Sequence, residues 1–307
     1  FKPGAGLNLH LFADSLTTYK AKQLPLSDFV AQFLHSLFVN PFAAFARGEV
    51  LPIVIIAFIT GIALVVGRES YTDLRRLLEQ GRSLSIQIVG WIMYVAPLGI
   101  AALLVKLAAT QNATLFTTLL KFIAVVVGTT LVHGLIVLPL ALYLLTRHSP
   151  WWFLKGSRDA LITAFATSSS TATVPITLRC VTEELKVSPA IAGFVVPLGA
   201  TINMDGTALY EASAALFVAN LVGIDLDFTQ QLLVFCVSML ASIGAPGIPS
   251  AGMVTMIMVL QAVNLPVEAI AILLPIDRLL DTIRTAVNVE GDMTGSVVVQ
   301  HWIGHRL

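Results

Sequence analysis

The chain has 307 residues, of which 56% are hydrophobic and only 12% charged, with 18 basic and 18 acidic side chains. Mean hydropathy is +0.86, and soluble domains carry about 25% charged residues. This composition excludes a disordered protein, a nucleic-acid binder and a typical cytosolic enzyme, and zero net charge implies no polyanionic partner. The chain reads as an integral membrane protein. Its two cysteines, Cys180 and Cys236, form no CxxC pair or disulfide framework.

In chain order, residues 1–28 read as the end of a span followed by an extramembrane linker. Apolar stretches approaching the roughly 20 residues of a membrane-crossing helix run over about 29–46, 50–67, 83–106, 115–146, 189–223 and 267–304. Shorter apolar pieces lie at 159–180, 229–243 and 251–264. The basic segments 68–82 (Arg68, Arg75, Arg76, Arg82), 147–158 (Arg147, Lys155, Arg158) and 179–187 (Arg179, Lys186) are expected on the cytoplasmic side. The piece at 159–180 then enters and leaves on one side, as a re-entrant hairpin. The same logic makes 229–264 a second hairpin entering from the opposite side.

The hairpin tips are Ser168-Ser169-Ser170-Thr171-Ala172-Thr173-Val174-Pro175 and Gly244-Ala245-Pro246-Gly247-Ile248-Pro249-Ser250-Ala251-Gly252. Hydroxyl, Gly and Pro runs of this kind are expected to interrupt a helix. At membrane depth such backbone must be buried in protein or line a wet cavity. After each hairpin comes a long apolar segment containing N-x-[DE]-G, as Asn203-Met204-Asp205-Gly206 and Asn288-Val289-Glu290-Gly291. The sequence therefore predicts two broken helices in an inverted repeat, with a substrate and ion site near the bilayer midplane.

The last segment is the richest in chemistry. Asp277, Asp281, Arg284, Asn288 and Asp292 recur every three or four residues and form one helical stripe. Facing lipid, its four charges would cost on the order of 10 kcal/mol, so the stripe must face a polar interior. Asp281 and Arg284 present an anion and a cation side by side. That suits a zwitterion, with ammonium on the carboxylate and an acid group on the guanidinium fork; the alternative is a self-compensating ion-pair network. Asp205 and Asp292 each follow an Asn at an expected break, giving oxygen-only donor sets that suit hard cations, or simple capping of the break. Glu211, in the apolar run after Tyr210, reads equally as a proton carrier or as a neutral or paired core acid. His133 reads as a hydrogen-bonding core residue rather than a ligand. Trp151-Trp152 beside the basic loop reads as an interfacial belt. A membrane hydrolase using Ser168–Ser170 with His133 would be a different class of reading, but the run has no nucleophile-elbow motif.

The strings SSSTATVP, GATINMDGTALYEA, SIGAPGIPSAG and DTIRTAVNVEGD resemble the signature segments of the dicarboxylate/amino acid:cation symporters. The resemblance covers essentially the whole chain and is strongest from about residue 160. It implies an all-α membrane protein, a homotrimer in the lipid bilayer, in which a transport domain moves as an elevator against a scaffold. Residues 29–106 would be scaffold and trimerisation spans and 107–307 the transport domain: span 115–146, hairpin one at 159–180, a broken helix at 189–223, hairpin two at 229–264 and a broken helix at 267–304. FKPGAGL looks like the end of a third span. On this resemblance Arg284 holds the substrate side-chain carboxylate and Asp281 its ammonium, with Ser170, Thr207, Ile248, Gly252, Thr285 and Asn288 completing the pocket. One sodium site would use the Gly199, Asn203 and Asn288 carbonyls with the Asp292 carboxylate; a second Thr201 with the carbonyls of Ser242, Ile243 and Ala245; a third Asn203 and Asp205 together with residues of a third span. Glu211 matches the proton carrier of excitatory transporters. Ser168 and Thr282 stand where some members carry a second arginine. The match at Arg284 implies acidic substrates, because neutral exchangers have a small uncharged residue there. The expectation is a sodium-driven aspartate/glutamate symporter without an organic cofactor or enzymatic activity; the alternative is a proton-coupled glutamate or C4-dicarboxylate carrier. The short 47–51 connection looks prokaryotic, implying a cell-membrane, multi-pass location.

Overall fold

A computed structural model describes residues 38–47, 50–110, 113–245 and 247–303. The expectations for 1–28 and for the first part of span 29–46 lie outside the described residues. Every described element is helical, and the described residues divide into two units, one before and one from Ala113.

In the first unit, α1 (Pro41–Arg47) and α2 (Val50–Gly67) lead through a short 3-10 turn (Arg68–Tyr71) into α3 (Thr72–Thr110). α3 begins well before the expected 83 and takes in most of the basic segment. Its run of Leu, Arg, Glu and Gln favours helix, and Arg75 and Glu79 pair one turn apart at 3.0 Å. Phe58, Ile62, Val65, Trp91, Tyr94 and Leu98 are exposed within this unit. The run Ile55–Ile92 is long and apolar enough to cross a membrane.

The second unit opens with α4 (Ala113–Val132), a π turn (His133–Val137) and α5 (Leu138–Thr146). Thr114–Thr146 is a second run long and apolar enough to cross a membrane, with Leu135, Ile136, Leu140 and Leu144 on its exposed side. α6 (Pro150–Thr167) and α7 (Ser170–Arg179) then fold back on each other. Proline at the first position of α6 loses no helical bond, which is why this limb starts ahead of the expected 159. Ser168 closes α6 in the left-handed conformation, φ 51°, and the Ser169 side chain caps α7 by accepting the Ala172 N–H. A π turn (Cys180–Glu184) leads to α8 (Pro189–Ile202) and α9 (Asp205–Leu221), separated by Asn203 and Met204. α10 (Phe228–Ile243), opened by an Asp227–Gln230 capping box, and α11 (Gly252–Ala262) form the second folded-back pair. A 3-10 turn (Val267–Ala269) precedes α12 (Ile270–Ile303).

α12 is the axis of this unit, packed by α4 to α9 and by α11. Its 34 residues extend about 50 Å at 1.5 Å per residue. Leu142, Phe153, Ala160, Val181, Val196, Met293 and Val297 form one apolar core.

One expectation is overturned. The 267–304 segment is not a broken helix: α12 runs without interruption through Asn288-Val289-Glu290-Gly291. The first tetrad breaks its helix and the second does not, because the second caps the first. Where α9 restarts, the Gly206 N–H lacks an intrahelical acceptor; Asn288 Oδ1 takes it at 2.8 Å and Asp205 Oδ1 at 3.0 Å. Gly291 is a point of close approach rather than a breaker. A Cβ there would lie 2.5 Å from Asn203 Nδ2, so the roughly 1 kcal/mol that a helical glycine costs is offset by packing the break against α12.

Candidate functional site

The α12 stripe is wholly interior: Asp277, Asp281, Arg284, Asn288 and Asp292 are all at most 6% exposed. Around it converge the α8/α9 break, the Ser168–Ser170 tip and the 244–252 tip. The two tips touch. Ser169 Oγ donates to the Gly247 carbonyl at 2.6 Å, and the Thr171 N–H donates to the same carbonyl at 3.2 Å. A Cβ on Gly247 would lie 2.8 Å from the Ala200 carbonyl, so only glycine allows this close approach.

A small cavity lies beneath the tips, and the structure brings seven of the eight expected substrate residues to its wall: Ser170, Thr207, Ile248, Gly252, Asp281, Thr285 and Asn288. The eighth, Arg284, lies behind that wall. Its Nη2 donates to Asp277 Oδ1 at 2.9 Å and to Asp281 Oδ1 at 2.8 Å. Its guanidinium carbon sits 3.9 Å from the Tyr210 ring centroid, a cation–π contact. Nε and Nη1 are buried without hydrogen-bond partners, and Nη1 would be 3.4 Å from a Cβ on Gly252. Asp281 Oδ2 accepts the Ser250 N–H at 2.8 Å, tying the second tip to α12; Ser250 adopts φ 59° to make this contact. Asn288 Nδ2 donates to Thr207 Oγ1 at 3.1 Å and contacts Met204 Sδ at 3.3 Å.

The first expected cation set is also assembled. Asn203 Nδ2 donates to the Asn288 carbonyl at 3.1 Å and to Asp292 Oδ1 at 3.0 Å, and the Asp292 carboxylate presses on Gly199 where a Cβ would sit. The Asn288 carbonyl and the Asp292 carboxylate are oxygen ligands that suit a hard cation, and here the Asn203 amide N–H group bonds to both. The other sets are less complete. Thr201 is exposed and its hydroxyl donates to Leu198 of its own helix at 2.7 Å, while Ser242 donates to Met239. Ile243 is the last residue of α10 and Ala245 lines the cavity. Asp205 Oδ2 is hydrogen-bonded to His133 Nε2 at 2.8 Å. Glu211 is fully buried, accepts from the Thr255 hydroxyl, and has Oε2 without a partner.

The site contains residues that sequence reasoning does not select. Asp277 shares the stripe but its spacing assigns it no role; it is the second carboxylate on Arg284. Tyr210, in sequence only a neighbour of Glu211, stacks on the guanidinium. His133 is the hydrogen-bonding residue expected, but its partner, Asp205, is 72 positions away. Its place on a π turn is a local signal of function with no signature in the residues themselves. Ser169 and His133 are each committed elsewhere and do not bond one another, unlike a nucleophile and its base.

The close packing yields a direct test. A methyl on Gly206 would lie 2.7 Å from the Arg284 carbonyl and 3.1 Å from Asn288 Oδ1. Gly206→Ala is therefore expected to destabilise the protein by about 1–3 kcal/mol, measured as a lowered unfolding temperature in detergent, whereas Gly193→Ala, which meets nothing within 4 Å, should be tolerated.

The second unit thus carries apolar side chains on its exterior and a buried carboxylate–guanidinium stripe beneath two irregular tips that are themselves buried in protein, as backbone of that kind must be at membrane depth. The sodium:dicarboxylate symporter family model matches residues 1–302, and the chain belongs to that family. Excitatory amino acid transporter 1 of Mus musculus is 42% identical over 260 residues, 84% of this chain and 48% of that protein. A putative sodium-dependent excitatory amino acid transporter of Caenorhabditis elegans is 40% identical over 254 residues, 82% of this chain and 51% of its own length. Neutral amino acid transporter B(0) of Mus musculus is 40% identical over 258 residues, 83% of this chain and 46% of that protein. The chain thus spans about half the length of the curated relatives it matches. The family and these relatives are transporters, not enzymes. The prokaryotic source expected from the 47–51 connection is not shared by these relatives, which are animal proteins.

Proposed function

We propose that the protein is a sodium-driven symporter of acidic amino acids, L-aspartate and L-glutamate, acting as a homotrimer in the cell membrane. Residues 107–307 would form a transport domain that moves as an elevator against a scaffold containing 29–106, with 159–180 and 229–264 as re-entrant hairpins. The observation that carries this reading is Arg284, fully buried with Nε and Nη1 unpartnered behind a small polar cavity.

A buried guanidinium N–H without a partner is a strong donor to a carboxylate, and either bidentate edge of the fork pairs a free donor, Nε or Nη1, with Nη2. A substrate side-chain carboxylate would take Nη1 together with the Nη2 hydrogen that Asp281 gives up, and the substrate ammonium would take Asp281 in exchange for the Arg284–Asp281 bond. Asp277 would hold Nη2 throughout, and Thr207, Thr285, Asn288 and the main chain at Ser170, Ile248 and Gly252 would bind the remaining polar groups. Because the Ser250 N–H is bonded to Asp281, displacement of the second tip exposes that acid, which makes this tip the gate. Sodium would sit at the Gly199, Asn203, Asn288 and Asp292 oxygens. The Thr201, Ser242, Ile243 and Ala245 set would complete a second site, and Asn203 with Asp205 would contribute to a third. Coupling then follows if the elevator movement is open only to the empty or the fully loaded domain, since ligands shift a conformational equilibrium only by differential affinity.

The test is radiolabelled L-aspartate uptake by the full-length protein in proteoliposomes, comparing inward sodium and potassium gradients at two pH values. Uptake with sodium alone supports the proposal. Glu211, buried against Thr255 with one oxygen unpartnered, favours a second reading as a proton-coupled glutamate or C4-dicarboxylate carrier. Sodium-independent uptake that follows the proton gradient would replace the first reading with that one.

A further inference from the structure

Arg278 belongs to neither the substrate set nor any of the cation sets. It lies on α12, and its side chain is 44% exposed. A charge on a membrane helix is costly unless a partner or a wet cavity receives it. Arg278 has such a partner: its Nη1 lies 3.9 Å from Asp281 Oδ2, at i,i+3 on the same helix. Among the described residues no other carboxylate reaches it. That separation is within ion-pair reach but too long for a hydrogen bond. The reason is that Asp281 is already satisfied. Its Oδ1 accepts from Arg284 Nη2 at 2.8 Å and its Oδ2 from the Ser250 N–H at 2.8 Å.

The two groups that face Oδ2 differ in what carries them. Ser250 belongs to the second tip, between α10 and α11, and holds a left-handed backbone there. Arg278 is on α12 itself, where helical geometry keeps side chains at i and i+3 adjacent. Displacement of the tip therefore removes the Ser250 N–H and leaves the guanidinium in place. A buried carboxylate is destabilised by losing a hydrogen bond. A guanidinium about 1 Å beyond hydrogen-bond length restores it as a charge-assisted one.

We propose that Arg278 is a positioning residue for the gate: it takes Asp281 Oδ2 when the second tip lifts, and the substrate ammonium must displace it. This rests on the acidic amino acid symport reading and deepens it. The guanidinium is bonded to Asp281 with the tip lifted and 3.9 Å away with the tip in place, and that difference biases the tip toward opening when the site is empty. With ammonium on Asp281, the two cations are close neighbours and repel. Arg278 thus favours the open, empty site at the expense of substrate affinity.

The experiment is calorimetric titration of the purified full-length protein with L-aspartate in sodium, comparing the parent, Arg278→Gln and Arg278→Lys. An arginine that only steers anions or braces the helix weakens binding when removed, whereas a competitor tightens it. The expected result is aspartate bound at least threefold more tightly by Arg278→Gln, with a smaller change in Arg278→Lys, which keeps the positive charge. Unchanged or weaker binding in Arg278→Gln overturns the proposal, as does a lysine variant shifted as far as the glutamine one. A second measurement follows the tip itself. In a Cys236→Ser background, Ser250→Cys keeps the backbone N–H and puts a thiol on the tip, while Cys180 is buried. Without substrate, adding Arg278→Gln should slow maleimide labelling at least threefold, because the open state has lost its partner. An equal or faster rate overturns the proposal even where affinity rises. A parent that binds no aspartate refutes the acidic amino acid reading itself, whereas a binding parent with an indifferent variant refutes only the role of Arg278.

Discussion

Replacing Arg284 by alanine is expected to abolish acidic amino acid binding, lowering affinity for L-aspartate by at least a hundredfold, and to destabilise the protein at the same time. Arg284 is fully buried and holds two carboxylates, Asp277 and Asp281, through one nitrogen. Removing one side of a buried ion pair costs about 3–5 kcal/mol because the other side is left charged and desolvated. The stacking contact with Tyr210 is lost as well. The two effects separate in the variant Arg284→Lys, which keeps a cation near Asp277 and Asp281 but cannot present two parallel donors to a carboxylate. Its unfolding temperature should recover most of the loss while aspartate binding remains at least tenfold weaker than in the parent. Calorimetric titration of purified protein with aspartate, beside a thermal melt, reads both quantities. Retained aspartate affinity in Arg284→Ala would remove the guanidinium from the binding role.

Replacing Asp292 by asparagine is expected to raise the sodium concentration needed for half-maximal uptake at least tenfold. Asp292 is 3% exposed, accepts from Asn203 at 3.0 Å and lies against Gly199, so its charge faces the α8/α9 break rather than solvent. The asparagine side chain keeps the size and one oxygen but removes the negative charge that attracts a cation. Its remaining oxygen can still accept from Asn203 Nδ2, but as a neutral rather than a charged acceptor, so the local hydrogen bond is weakened by about 1 kcal/mol. The diagnostic comparison is the sodium titration of uptake at saturating aspartate. A rightward shift with the maximal rate restored at high sodium assigns Asp292 to cation binding, and an unchanged titration would count against that role.

The positions of the two tips are legible in the amino-acid sequence because their cause is local. The Pro/Gly-rich stretch ends α10 at Ile243 and α11 resumes at Gly252, whereas the interruption expected over 168–175 shrinks to Ser168 and Ser169, because Ser170 to Pro175 already belong to α7, capped by the Ser169 side chain. The break at Asn203-Met204 is readable in the same way. The α12 stripe is legible because helical periodicity fixes which residues share a face. Seven of the eight expected substrate residues meet at one cavity because the motifs that carry the expectation pin whole segments rather than single positions.

What local reasoning does not supply is the partner of each group. Asn203-Met204-Asp205-Gly206 and Asn288-Val289-Glu290-Gly291 look equivalent in sequence, yet one ends a helix and the other runs through it. The difference lies across the interface, where Asn288 accepts the free N–H of Gly206 and Gly291 makes room for Asn203. The His133–Asp205 bond and the second carboxylate on Arg284 belong to the same class of facts.

The sequence by itself determined that the chain is a helical membrane protein, where its helices are interrupted at the tips and at Asn203, and that a charged stripe must face inward. Composition, helix breakers and periodicity act over a few residues, and the cost of charge in lipid leaves only one face for the stripe. The tertiary structure alone decided that α12 stays continuous, that the tips meet at Gly247, and which buried charges are paired. Those outcomes depend on which groups satisfy one another across distant segments, and a buried polar group takes its energy from the partner it finds rather than from its neighbours in the chain.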